Sequence, residues 1–297
     1  MALDMIAMTN LHRNLTFALL AAVFGLSVIG CEKIRSSGGN GSMPPDTMVP
    51  AGTLHLTGSS TMTPLMSEIT QRFHALHPQV LFIIETGGSS RGISDVRSGN
   101  ADIGMASRVL NAEEKGVTGF PVARDGVGIM VHKDNPVKTL SQSEVVAIFT
   151  GQSQNWKAFN GQDIPITVIA RDKLRGLTGV FLDHYKLRYE DIKAQKVVGD
   201  NIFAFDAVRG NVAAVTLISV VAADEASGAG IPVKLIPLDG IVANNRSILT
   251  GNYSLTRPLT LVTTEAPTLL VQRFIEFTLS SQVTDLIQKL GFIPYLE

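Results

Sequence analysis

Two short hydroxyl-bearing turns, Thr57-Gly58-Ser59-Ser60-Thr61 and Gly87-Gly88-Ser89-Ser90-Arg91-Gly92, are the residues of this sequence best suited to chemistry. That chemistry is binding rather than bond-making. Each turn leads into a segment that reads as a helix, and a helix begins with backbone N–H groups that lack an intrahelical partner and with the positive end of its dipole. Two such starts aimed at one point cradle an anion, and Ser or Thr adds hydroxyl donors while keeping the turn compact. The same residues cap helices everywhere, so the expectation rests on two turns converging, not on either alone. Arg108, closing Asp102-Ile103-Gly104-Met105-Ala106-Ser107-Arg108, and Arg171, after the run Ile164 to Ala170, stand at the C-terminal ends of predicted strands. Open α/β sheets place their ligands there, and the planar guanidinium fork suits an oxyanion. Either arginine has a second reading, as a surface residue or a partner for a nearby carboxylate.

The elements that must position these residues alternate in type. Thr53 to Leu56 reads as a strand, Leu65 to Leu76 as a helix ended by Pro78, Val80 to Glu85 as a strand, and Gly92 to Ser98 as a short helix. Further on, Val127 to His132 reads as a strand, Leu140 to Phe149 as a helix capped by Ser141 or Ser143, Val212 to Ser219 as part of a βα unit, Arg257 to Thr263 as a strand and Pro267 to Leu279 as a helix. Such alternation predicts an α/β fold of βαβ units with parallel sheets. The strands at 127–132 and 257–263 bracket a middle segment, as they would if the chain crossed from one lobe to another and back.

Composition describes a globular protein with ample core. The chain has 297 residues, 45% of them hydrophobic and 17% charged, with a formal net charge of -1, so nucleic acid is not an expected partner. An enzyme would need a nucleophile with a base, paired carboxylates or a metal cluster. His74 and His77 lie three apart on a helix, but no third ligand stands near them. No phosphate-loop or dinucleotide fingerprint is present. The expectation is a chain that is not an enzyme and uses no cofactor and no metal.

The first 50 residues differ from the rest. His12-Arg13-Asn14 precedes an apolar run from Leu15 to Ile29, which is shorter than a bilayer crossing needs and reads as the core of a signal peptide over 1–30. Cys31, the only cysteine, follows Val28-Ile29-Gly30, and these four residues resemble the lipobox of bacterial lipoproteins, which implies lipidation of Cys31. Glu32 in the next position leans toward the outer membrane by analogy with lipoprotein sorting, with the periplasm or cell surface as the compartment. Residues 31–51, with Ser36-Ser37-Gly38-Gly39 and Pro44-Pro45, have the composition of a flexible tether.

From Gly52 to Tyr295 the sequence resembles the phosphate-binding type of substrate-binding protein, the extracytoplasmic receptor of phosphate ABC transporters. The segments that carry the resemblance are Gly58-Ser59-Ser60-Thr61, Gly87 to Gly92, Asn100 to Arg108, Ala123-Arg124-Asp125-Gly126, Ile148-Phe149-Thr150-Gly151 with Asn155-Trp156, Pro165 to Val168 with Arg171, Tyr253 to Pro258, and Gly291-Phe292-Ile293-Pro294. It implies a two-lobed periplasmic-binding-protein fold of the class II type, with lobes joined by two crossover strands: 52–131 plus 256–297 as lobe one, 132–255 as lobe two. The implied partners are inorganic phosphate or a similar oxyanion, an ABC transporter permease, and the membrane through the lipid anchor, with the receptor acting as a monomer.

On this resemblance Ser59, Ser60, Thr61, Ser89 and Ser90 supply donors from lobe one, and Arg108 and Arg171 supply charge. Two departures stand out. Where the family continues Arg-x-x-x-Ser-Gly-Thr, this chain reads Arg171-Asp172-Lys173-Leu174-Arg175-Gly176-Leu177-Thr178, so Arg175 and Leu177 replace two hydroxyls beside Gly176. Some relatives also have aspartate where Arg108 stands, and Asp125 is the candidate to accept the proton of hydrogen phosphate in its place, an ion pair or turn cap being its other reading. A receptor for another oxyanion or small carboxylated solute, or a scaffold whose site has decayed, remains the alternative.

Overall fold

A computed structural model of the protein describes residues 48–295. The expected signal peptide, Cys31 and the first part of the tether lie outside the described residues. The chain runs β1 (Gly52–Gly58), α1 (Thr63–Leu76), β2 (Val80–Thr86), α2 (Ser89–Arg97), β3 (Ile103–Ala106) and β4 (Val117–His132). It continues through α3 (Gln142–Phe149), β5 (Thr167–Arg171), α4 (Gly176–Tyr185), β6 (Lys196–Val198), α5 (Asn201–Arg209), β7 (Ala214–Ser219), α6 (Val220–Gly228), β8 (Val233–Ile236) and α7 (Asn245–Leu249). It ends with β9 (Thr256–Thr264), α8 (Leu269–Thr278), α9 (Thr284–Lys289) and β10 (Ile293–Pro294).

Local chemistry explains the boundaries that matter. Helix α1 takes proline in its first turn and stops short of Pro78, which fits the missing N–H of that residue. Helix α2 begins at Ser89, earlier than the expected Gly92, because Gly88 adopts φ 95° and turns the chain straight into the helix. Of the two serines offered as a cap for α3, Ser141 does the work, in a reciprocal pair with Glu144.

Parallel pairing, expected throughout, holds for β1 with β2 and β3 and for β5 with β6 and β7. Strands β4 and β9 instead run antiparallel to their neighbours, since they are crossovers and not members of βαβ units. The strand path is β2-β1-β3-β9-β4-β7-β5-β6. Strand β4 spans 16 residues and serves two sheets: Val117 to Gly126 pairs with β9, and Val127 to Val131 pairs with β7. Its sheet partner therefore changes between Gly126 and Val127, whereas the sequence put the crossing at Val131 and His132.

At that change the two crossover segments are pinned together. Val127 N–H donates to Leu255 O at 2.8 Å, and the buried Tyr253 hydroxyl donates to Val127 O at 2.8 Å. Each lobe has its own core. Leu54, Leu56, Met66, Phe73, Leu261 and Phe274 anchor one, and Val127, Val131, Phe149, Trp156, Val168 and Phe181 the other.

Candidate anion-binding site

The site is built where β1 and β3 end, β9 begins and β4 passes from one sheet to the other, near the starts of α1, α2 and α4. At the end of β1, Gly58 O accepts both Gly87 N–H and Gly88 N–H at 2.9 Å, and Ser59 N–H donates to Met105 O at 2.8 Å. This sews the two hydroxyl turns side by side. Only glycine fits at 58, because a Cβ there would stand 2.3 Å from Met105 O. The expectation that the turns lie together is met.

Ser89 is fully buried, and its Oγ accepts from Ser107 N–H at 3.0 Å and lies 3.3 Å from Ser107 Oγ. The Thr61 hydroxyl oxygen accepts from Arg257 Nη2 at 3.2 Å. Ser59 is buried, its carbonyl taking Met62 N–H, while Ser60 is half-buried. The third start arrives from the other lobe: Gly176 packs so closely that a Cβ on it would lie 2.5 Å from Ser89 Oγ and 2.6 Å from Ser107 Oγ.

At the centre sits a completely buried ion pair. Arg257, the second residue of β9, donates to Asp125 Oδ2 from Nη2 at 2.8 Å and from Nε at 3.2 Å, and to Ser107 Oγ from Nη1 at 2.9 Å. Asp125 Oδ1 is buried with no hydrogen-bond partner among the described residues. An ionised carboxylate oxygen left without a donor costs a few kcal/mol, so this atom is poised to accept a hydrogen bond from a ligand hydroxyl.

The other arginines divide by role. Arg171 is buried and spends four donors on Gly199 O, Leu217 O and Asn201 Oδ1, tying the ends of β5, β6 and β7 together. Burial, then the neighbouring Arg175 and Arg257, push its guanidinium down to about 9, with Asp200 acting against the shift. Arg171, Arg175 and Arg257 thus bring three guanidinium groups to the region that holds Asp125 and Asp200. Arg175 precedes α4, pairs through Nη1 with Asp200 Oδ1, and keeps a buried Nε without a partner among the described residues.

Arg108 is different. Both its terminal nitrogens bind Glu114, at 2.9 and 2.6 Å, and Nη2 reaches Ser90 Oγ at 3.4 Å. Burial alone would raise the Glu114 carboxyl, but the hydrogen bonds from Arg108 and Asn111 outweigh it and hold it below its ordinary range. Arg108 is thereby neutralised as a side-chain pair beside Ser90, which is the carboxylate-partner reading of the sequence. Leu177 joins the core of its lobe, and the Thr178 hydroxyl turns back to Asp172 O at 2.9 Å, so neither replaces the missing hydroxyls. Of the two histidines, His74 on α1 hydrogen-bonds to Val80 O, and His77, just past the end of that helix, lies against the Phe73 ring.

A family model described as the PBP superfamily domain matches residues 47–282. The chain belongs to that superfamily. Among its relatives, a phosphate-binding protein, PstS 2, of Streptococcus agalactiae is 39% identical over 125 residues, 39% of this chain and 43% of that protein. The chain therefore matches less than half the length of that relative. The PstS protein of Staphylococcus haemolyticus is 28% identical over 241 residues, 76% of each chain. A Clostridium perfringens protein assigned as a phosphate ABC transporter substrate-binding protein, solved with bound phosphate, superposes with a TM-score of 0.76 at 30% identity, covering 82% of this chain and 99% of that one.

Two residues of this PBP-superfamily site escaped the sequence reading, Ser107 and Arg257. Both lie inside segments that carried the resemblance. The signal for Arg257 was present: an arginine opening the apolar strand Thr256-Arg257-Pro258-Leu259-Thr260-Leu261-Val262 must be buried, and a buried cation needs a partner.

Proposed function

We propose that this protein is an extracytoplasmic solute-binding receptor that captures hydrogen phosphate between its lobes and presents it to an ABC transporter permease. The observation that carries the reading is the unpartnered Oδ1 of Asp125 beside Arg257. Hydrogen phosphate brings both an anionic edge, which the starts of α1, α2 and α4 and the guanidinium groups attract, and a hydroxyl, which needs an acceptor. Sulfate has no such hydroxyl and meets Asp125 as repulsion. Ser59, Ser60, Thr61, Ser89, Ser90 and Gly176 line the contact, with Ser107 and Arg257 added, while Arg171 and Arg175 act from the second lobe. In this reading Arg108 holds Ser90 in place through its pair with Glu114 and does not grip the anion itself.

The lobes are 52–126 with 256–295, and 127–255, hinged where β4 changes sheet. The reaction is reversible capture, not catalysis, and the receptor works as a monomer held to a membrane by lipid on Cys31. The names and bound phosphate of the relatives support the ligand class. Titration calorimetry of the purified chain with inorganic phosphate and with sulfate tests it: phosphate binds at least about tenfold more tightly. Equal binding of both anions points to a general tetrahedral-oxyanion receptor, and no heat with phosphate at millimolar concentration overturns the proposal.

A further inference from the structure

We propose that Asp200 is a positioning residue for the anion site: it ties Arg175, at the start of α4, to Thr86 on the opposite lobe and so latches one rim of the cleft shut. The ligand released through this latch rests on the oxyanion reading above; the latch itself does not. Asp200 stands just ahead of α5, and its two carboxylate oxygens face different lobes. Oδ1 pairs with Arg175 Nη1 in its own lobe, and Oδ2 accepts from Thr86 Oγ1, at the end of β2, at 3.4 Å.

Neighbouring contacts cross the same rim. Ser90 N–H donates to Leu174 O at 3.2 Å. Between them Gly88 would, with a Cβ, come 2.7 Å from Leu174 O and 3.2 Å from Arg175 Cδ, so the absence of a side chain is what lets the lobes touch here. Arg175 and Asp200 are largely withdrawn from solvent, with side chains 14% and 26% exposed, which limits screening of their pair by salt.

The exchange of residues in this loop acquires a physical meaning. Leu177 withdraws into the lobe core, and Arg175 turns its charge to a carboxylate that also grips the opposite lobe. Closure then draws on contacts within the protein as well as on the anion. Opening has to break the Asp200 bridge, so the latch sets the rate at which the anion leaves more than the rate at which it arrives.

The test uses the full chain with Thr86→Val and Asp200→Asn. Small-angle scattering without added anion should give a larger radius of gyration for both variants than for the parent. Radiolabelled inorganic phosphate should leave both about tenfold faster, the loss of roughly one hydrogen bond to a charged group, with association unchanged in Thr86→Val, which alters no charge. Thr86→Ser, which keeps the hydroxyl, should restore the parent release rate, a rescue that a general loss of stability does not give. Parent-like size and release in Thr86→Val and Asp200→Asn, with both variants melting as folded proteins, overturn the latch. A parent chain that binds no phosphate refutes the oxyanion reading instead, and the scattering comparison still decides the latch.

Discussion

Asp125 and Arg257 form the part of the site where, on the proposed function, one atom decides selectivity. The pair is fully buried, and Arg257 spends donors on Thr61 and Ser107 as well, so its geometry is fixed from three elements. Asp125→Asn leaves the guanidinium without a counter-charge and should lower stability by about 3 kcal/mol. The amide also removes the repulsion toward an anion without a hydroxyl, so the phosphate-to-sulfate preference should narrow by about tenfold or more. Calorimetry on the folded variant reads this, and an unchanged preference places the proton acceptor elsewhere. Sequence reached Asp125 through the family resemblance but could not reach the pair, because Asp125 and Arg257 meet only through the β4–β9 register. Arg108 shows the opposite limit. A motif marked it as a ligand, and a carboxylate six residues on claims both of its terminal nitrogens.

Among the elements, α1 and α2 were legible from their turns, and β4 was legible only in its second half. Gly119, Pro121 and the irregularity between Pro121 and Ala123 break the alternation that marks a strand, so the first half of β4 declares itself only through β9. The start of α4 makes a sharper prediction. Gly176 has ordinary helical backbone, and alanine is the better helix former, so Gly176→Ala should leave thermal stability nearly unchanged. Its methyl, however, meets Ser89 and Ser107 well inside contact distance. Closure should therefore be impeded and anion affinity should fall by about tenfold to a hundredfold. Thermal melting and calorimetry on the same sample separate the two effects; a variant that binds as the parent does would show that α4 does not have to approach so closely.

For the whole molecule, two bracketing strands in the sequence were enough to expect two lobes, because an apolar strand at each edge of a segment is what a double crossover requires. Where the lobes divide was not legible, since Val127 to Val131 is equally apolar in either sheet and only the pairing with β7 assigns it. On the lipobox resemblance, residues ahead of the lobes set the place of the molecule in the cell. Cys31→Ser should release the protein from membranes into the soluble fraction, and continued membrane association of the variant refutes lipidation at Cys31.

The nesting of one lobe inside the other also imposes an order of assembly. Lobe two is a continuous stretch of chain that is complete once Leu255 has been made, but the sheet of lobe one has β9 between β3 and β4. Until β9 arrives, β3 and the first half of β4 are open edges, the kind of surface that makes a partly made chain prone to stray pairing. Strand β9 also carries Arg257, so the main cation of the site is delivered by the segment that closes the sheet. A chain made only as far as Leu255 thus lacks both the closed sheet and Arg257: the sheet of lobe one and the candidate site are completed by the same strand.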